Sequence, residues 1–289
     1  MIAQIITLVA TLALVLLLVQ FRSAVAHTTL TAAWIWSVIA AASWSLAAGA
    51  SLALGPVAAA TGQLWYVAAV LTLCPWIAVL GARRPTVRVW NWFVVVPLVA
   101  VLLWPVALCW MPRGPDRLVL EAPHLVGFGL VLMMGTGNYW GTRFLLISLM
   151  TAVSEFLIVL SLASERAAMD VVVSRLIAMG LMIWPITAEM MNFRRARDTE
   201  AWSRLWQDFR DTFGIVWANR IAERVNAEAV KGNWSVRLQP MEFVATTPGQ
   251  SPKFDLDAAE IEQTVRWLLR RFVDDEWINA RLDAPPERA

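Results

Sequence analysis

Apolar residues run in long, nearly unbroken stretches over the first two thirds of the chain and recur at spaced intervals over the last third. The long stretches predict helices that cross a bilayer, whose hydrocarbon core takes roughly 20 residues to span. Seven are expected, at about 2–21, 30–54, 64–81, 89–111, 124–142, 144–163 and 170–193. The first competes with a cleaved leader, because Ala24-Val25-Ala26 offers small residues after the run. The start lacks a basic region and the run is long for a leader, so a retained anchor is expected. Pro75, Pro97, Pro105 and Pro185 fall inside spans. Neighbouring helices can satisfy the carbonyls they free, which predicts kinks and not breaks.

Beyond residue 193 the pattern changes. Trp202, Leu205, Trp206, Phe209, Phe213, Val216, Ile221 and Val225 recur at roughly helical spacing, with Gly232 as a stop. Trp234, Val236 and Leu238 then alternate with polar residues, which is a half-buried strand, and Pro240 weakens its continuation. Residues 245–253 predict a loop, and a second amphipathic helix is expected over about 256–282, capped by Asp255 or Asp257. The strand needs a partner: either residues 241–245 return as a hairpin, or a second copy supplies the edge. The expected fold is an all-α polytopic membrane bundle of about seven transmembrane helices, residues 1–193, followed by a small C-terminal cytosolic α+β domain, residues 194–289.

Composition agrees with that division. The chain is 58% apolar with a mean hydropathy of +0.58. Residues 1–193 hold only 9 Arg and 6 acids, whereas residues 194–289 hold 15 Lys and Arg with 16 acids. The net charge of +2, without a basic block interleaved with aromatics, gives no support for nucleic-acid binding. Cys74 and Cys109 lie in apolar runs without metal or redox spacing, and no cofactor is implied. With seven spans, Arg22, Arg83, Arg84, Arg88, Arg143, Arg194, Arg195 and Arg197 fall on one side and only Arg113, Arg117 and Arg166 on the other. Basic residues stay cytoplasmic, so the N-terminus is expected outside and the C-terminus inside. Much of the count of 17 Trp fits rings at the membrane interface.

Polar residues inside the spans are the candidates for chemistry. Glu155 lies near mid-bilayer, where a charge costs at least ~2.5–3.5 kcal/mol, so it should face protein or water. Ser148 and Thr151 share its helix face. Its two readings are a proton- or cation-handling carboxylate and a neutral group hydrogen-bonded in a packed bundle. Arg175, on the next span, is the expected partner, at a depth differing by about 7–8 Å if each residue rises 1.5 Å. Snorkelling, or pairing with Glu165 or Asp170, competes with that pair. Asn138 completes the expected polar cluster, and Gly127, Gly137 and Gly141 share its face as a close-packing surface. Glu189 is expected to pair with the arginines after residue 193. His27 and His124 are expected at opposite membrane faces, which argues against a shared metal or haem, and Asp274-Asp275-Glu276 is expected as a solvated face.

Three functions fit these residues: a membrane-anchored sensor or scaffold whose C-terminal domain binds a protein partner or a second copy; a small-solute or proton-coupled transporter using Glu155, Arg175 and Asn138; and an intramembrane enzyme. No nucleophile, metal set or acid–base pair stands out, which ranks the enzyme last, and the organised C-terminal segment ranks the sensor first.

Overall fold

The computed structural model describes residues 1–163, 168–192, 201–246 and 254–283. Helices α1 (Ile2–Gln20), α2 (Thr31–Ala53) and α3 (Ala59–Leu80) form an antiparallel group, with a short 3-10 turn, Phe21–Val25, after α1. Helices α8 (Leu145–Ala163) and α9 (Ala168–Asn192) pack as a pair, α9 against α1 and α8 against α3. Among the described residues these five are long and apolar enough to cross a membrane. A helical, apolar bundle of this kind points to a membrane protein.

The region expected as one span over 89–111 is divided. It reads α4 (Val87–Trp90), a π-helical turn over Asn91–Val95, α5 (Val96–Leu102) and α6 (Trp104–Cys109). Pro97 and Pro105 stand at the starts of α5 and α6. Each lacks an N–H and presses its ring on the carbonyl four residues back, so the backbone widens or breaks just ahead of it. By contrast Pro75 and Pro185 are carried inside continuous helices. Helix α7 (Ala122–Asn138) has 17 residues and packs on α3, α5 and α8.

The interface explains only some tryptophans. Trp92, Trp110, Trp140 and Trp184 are exposed, but Trp44 and Trp65 are buried and meet at 5.3 Å between centroids, tilted by 57°. Their ring N–H groups donate to Thr72 Oγ1 at 2.9 Å and Ser51 Oγ at 2.7 Å. Here indole fills core volume and satisfies its own polar atom.

The C-terminal elements are α10 (Ala201–Phe213), α11 (Ile215–Lys231), β1 (Val236–Leu238), β2 (Phe243–Ala245), α12 (Phe254–Leu269) and α13 (Asp275–Leu282). The expected single helix up to Gly232 is two helices, because Gly214 turns the chain at φ 79° and ψ 173°. The expected second helix is likewise divided at residues 270–274, whose backbone is used in pairing described below. Of the two alternatives for the strand, the hairpin is present: Val236 pairs with Ala245 and Leu238 with Phe243, antiparallel. The boundary at residue 193, the Arg194, Arg195 and Arg197 cluster, Glu165, most of the 245–253 loop and the Asp255 or Asp257 cap lie outside the residues or side chains described.

These elements do not hang free. Phe209, Phe213, Trp217 and Phe272 pack with Leu30 and Ala33 of the α2 start and Ala78, Val79 and Ala82 of the α3 end in one apolar core. Phe209 and Phe213 stack at 4.9 Å, and Phe272 meets Phe213 and Trp217 edge-on at 5.3 and 5.0 Å. The C-terminal unit therefore caps one end of the bundle, the end carrying Arg84 and Arg143.

Candidate functional site

The cap is held by two backbone seams. At the first, Thr29 N–H donates to Phe272 O, Arg84 N–H to Arg271 O and Asp274 N–H to His27 O, each at 2.8 Å. Thr28 and Val273 form an antiparallel bridge between them. This pairing accounts for the break at 270–274: the Arg271 and Phe272 carbonyls accept from Arg84 and Thr29, and the Asp274 N–H donates to His27 O, in place of continuing helix bonds. Arg84 adds an ion pair to Asp274 at 2.6 Å. His27 Nδ1 also comes within 4.0 Å of Asp274 and 3.9 Å of Glu276, three groups with metal-ligand chemistry on an exposed rim. The expected purely solvated face at 274–276 thus has a histidine neighbour that sequence order concealed.

The second seam is the α7–α8 loop, residues 139–144. Asn138 Nδ2 donates to Phe213 O at 3.3 Å, and its Oδ1 accepts Val216 N–H at 3.2 Å. It caps the start of α11 from another helix, satisfying one of the N–H groups a helix leaves open. Arg210 Nη2 donates to Gly141 O at 2.7 Å. Arg143 N–H donates to Asp211 Oδ1 at 3.2 Å, and its Nε lies 3.6 Å from Asp211 and 3.5 Å from Glu189 of α9. So Glu189 faces Arg143, a bundle residue that is also bound by the cap.

The expected polar cluster therefore divides among three places. Ser148, Thr151 and Glu155 do turn inward, at 3%, 7% and 0% exposure. Asn138 is buried at the seam with the cap instead of beside Glu155. Arg175 donates to Pro56 O at 2.9 Å in the α2–α3 connection and lies 4.8 Å over the Trp65 ring. Among the described residues it makes no ion pair with Glu155. A backbone carbonyl and an indole face hold this cation where a carboxylate is expected from depth, and its buried Nε has no acceptor. Neither carboxyl oxygen of Glu155 completes a hydrogen bond. Thr72 is its polar neighbour, but that hydroxyl donates to Ala68 O and accepts from Trp44. Ser154, next to it, donates to Ala178 O at 2.7 Å and ties α8 to α9.

The glycine face is also distributed differently. Gly127 has room for an ordinary contact with Leu102, and Gly137 has open space. The tight approach is Gly135, where an added Cβ would collide with the Trp76 ring. Gly141 lies past the end of α7 at φ 68°, a turn position favouring glycine.

Between bundle and cap lies a cavity of about 390 Å³. Such a volume is within the range of small-molecule sites, roughly 300–1,000 Å³. Its apolar wall comes from the bundle and includes Leu18, Ala33, Trp76, Ile147 and Ile186. Its polar end is formed by Tyr139, Arg143, Glu189, Asp211 and Arg281. Arg281 donates from Nε to Asp208 at 2.9 Å and from Nη1 to Trp277 O at 3.0 Å, with its guanidinium over the Trp277 ring. Burial pulls this guanidinium below its usual pKa and Arg143 pushes it the same way, while Asp208 opposes. Ser148 reaches the cavity. Glu155 lies seven residues further along α8, about 10 Å deeper at 1.5 Å per residue, and does not line it. Sequence reasoning found Ser148 and Glu189 separately. The rest of the site joins residues far apart in the chain. Comparison with protein-family models, with curated proteins and with solved structures finds no match.

Proposed function

We propose that the chain is a multi-pass integral membrane sensor of the cell membrane, with its N-terminus outside and its C-terminal unit in the cytosol. The observation that carries this reading is the composite cavity: one wall belongs to apolar helices, the other to α10 and α13 of the cap. A ligand there would touch both parts at once, and a ligand shifts a conformational balance only by touching its states differently. Arg22, Arg84 and Arg143 lie at the capped end, which supports a cytosolic cap through the positive-inside rule. Seven crossings remain the proposed count, with α7 and the broken stretch Val87–Leu102 joining the five longer helices.

The output falls to the cytosolic unit, whose exposed Val230, Met241 and Trp267 offer contact to a protein partner or a second copy. The hairpin pairs within the chain, so a missing strand partner no longer argues for self-association. A small-solute or proton-coupled carrier has weaker support, because Glu155 is packed away from the cavity and Arg175 and Asn138 are elsewhere. Hydrogen exchange of the full chain in lipid nanodiscs tests the sensor. Ile147→Trp fills the apolar wall from a position outside the core that α10 and α13 share with the bundle, and should change amide exchange in both helices. Unchanged exchange in both helices would end the sensor reading.

A further inference from the structure

Arginines from three parts of the chain gather beside the first seam. Arg83 stands just past the end of α3, and the Arg84 N–H bond to Arg271 O, at 2.8 Å, sets Arg271 next to it. Trp217 Nε1 donates to Val79 O at 3.2 Å, which brings the start of α11 to the same helix end. The Arg220 guanidinium lies over the Trp217 ring at 5.1 Å, and that of Arg271 over the Trp267 ring at 5.6 Å. Arg224 stands one turn beyond Arg220 on the same face of α11. Among the described residues, the side chains of Arg83, Arg220, Arg224 and Arg271 make no ion pair and no hydrogen bond. Glu223, exposed between Arg220 and Arg224, makes no ion pair with either, and Asp274 is taken by Arg84. Slight burial, and then the charges of Arg271, Arg224 and Arg220, pull the Arg83 guanidinium below its usual pKa. Each guanidinium carries five N–H donors. Cations that repel one another, with donors free and two of the side chains already held against rings, favour an anion among them.

The place of the group fits a lipid headgroup. Helix α3 is among those long and apolar enough to cross a membrane, and Arg83 follows its last turn. On α4 and the π-helical turn that come next, Val89, Trp92 and Phe93 are 56%, 64% and 77% exposed, as side chains in contact with acyl chains would be. Hydrocarbon therefore begins close to the arginines, which puts them at the depth of the phosphates. Trp267, exposed beside Arg271, adds a ring of the kind that settles at this interface. We propose that Arg83, Arg220, Arg224 and Arg271 form a site for the phosphate of an anionic phospholipid in the leaflet on the capped side. A zwitterionic head would bring its own ammonium among the four cations. The site is separate from the cavity and shares with the sensor reading only the crossing of α3.

The test uses the full chain in micelles of an uncharged detergent, titrated with dioleoyl phosphatidylglycerol or dioleoyl phosphatidylcholine, with bound lipid counted by native mass spectrometry. The two lipids share their acyl chains and phosphate, and only the second carries a cation. One phosphatidylglycerol per chain should be held at least about tenfold more tightly than phosphatidylcholine. Arg220→Gln with Arg224→Gln should weaken phosphatidylglycerol by about fivefold per charge, roughly 25-fold together, and leave phosphatidylcholine unchanged. Both side chains are exposed, so the fold survives their exchange. Arg113→Gln with Arg117→Gln is the control. These exposed arginines lie in the α6–α7 connection, at the other end of α3, where Trp110 donates to Gln63 at 2.8 Å. Binding in the control should match the unaltered chain. Equal affinity for the two lipids, unchanged binding in the α11 variant, or an equal loss in the control would overturn the proposal. Inorganic phosphate displacing phosphatidylglycerol at equal concentration would also overturn it, in favour of a free-anion site. Failure here would leave the exchange result for Ile147→Trp standing, and failure there would leave this site standing.

Discussion

Asn138 and Gly214 allow the seam between bundle and cap to be measured in one cycle. Asn138→Ala removes the acceptor for Val216 N–H and the donor to Phe213 O. Loss of a helix cap costs about 1 kcal/mol. A buried carbonyl left without its donor costs about 1–3 kcal/mol, and the 3.3 Å bond places this one at the low end. The sum is about 2 kcal/mol. Gly214→Ala acts on the same contact from the other side. Its φ of 79° with ψ of 173° is a region essentially reserved for glycine, worth ~1–3 kcal/mol of strain for alanine. The new Cβ would also collide with the Asn138 side chain. In the double variant the collision is gone but the strain stays. The two losses should therefore combine to less than their sum, by at least ~1 kcal/mol, as expected for residues in contact. Equilibrium unfolding in mixed micelles, followed by tryptophan fluorescence, gives the four free energies. Strict additivity, or Asn138→Ala at wild-type stability, would refute the capping geometry.

Other substitutions separate the remaining parts. Glu155→Gln and Arg175→Met should be independent, with effects adding to within ~0.3–0.5 kcal/mol in the same unfolding assay; a larger coupling would restore the ion pair the structure lacks. Arg175→Met alone should lose about 1–3 kcal/mol, because it strands the Pro56 carbonyl and the Trp65 stack. Trp217→Phe keeps the aromatic contact with Phe272 but loses the 3.2 Å bond to Val79 O, so a fall of about 1 kcal/mol is expected; no change would remove that bond from the docking surface.

The long helices were legible because apolar runs leave lipid-spanning segments few alternatives: α1, α2, α8 and α9 begin and end within two residues of their expected limits. Inward-facing Ser148, Thr151 and Glu155 followed from helix periodicity for the same reason. What failed were arguments about depth and partners. Arg175 was matched to Glu155 by counting residues, but a backbone carbonyl and an indole, neither visible as a charge in the sequence, hold it instead. Asn138 read as an intramembrane polar group because Gly137 and Gly141 flank it, when that short loop is the ledge on which α10 and α11 rest. The breaks at Gly214 and at 270–274 were missed because amphipathic spacing continues across them. Tertiary pairing to the loop at 27–29 decided the second break. The cavity, built from both ends of the chain, has no local signature.

The most direct test of a capped bundle is a disulfide across the first seam. Thr28 and Val273 bridge as antiparallel neighbours, a relation that places Cα atoms about 4.5–5.5 Å apart, within reach of a disulfide. In a full chain with Cys74 and Cys109 replaced by serine, Thr28→Cys with Val273→Cys should crosslink rapidly in native membranes on mild oxidation, whereas either cysteine alone should not. Failure of the pair to crosslink in folded protein would mean that the C-terminal unit does not sit on the bundle, and the shared core, the cavity and the sensor reading would fall together.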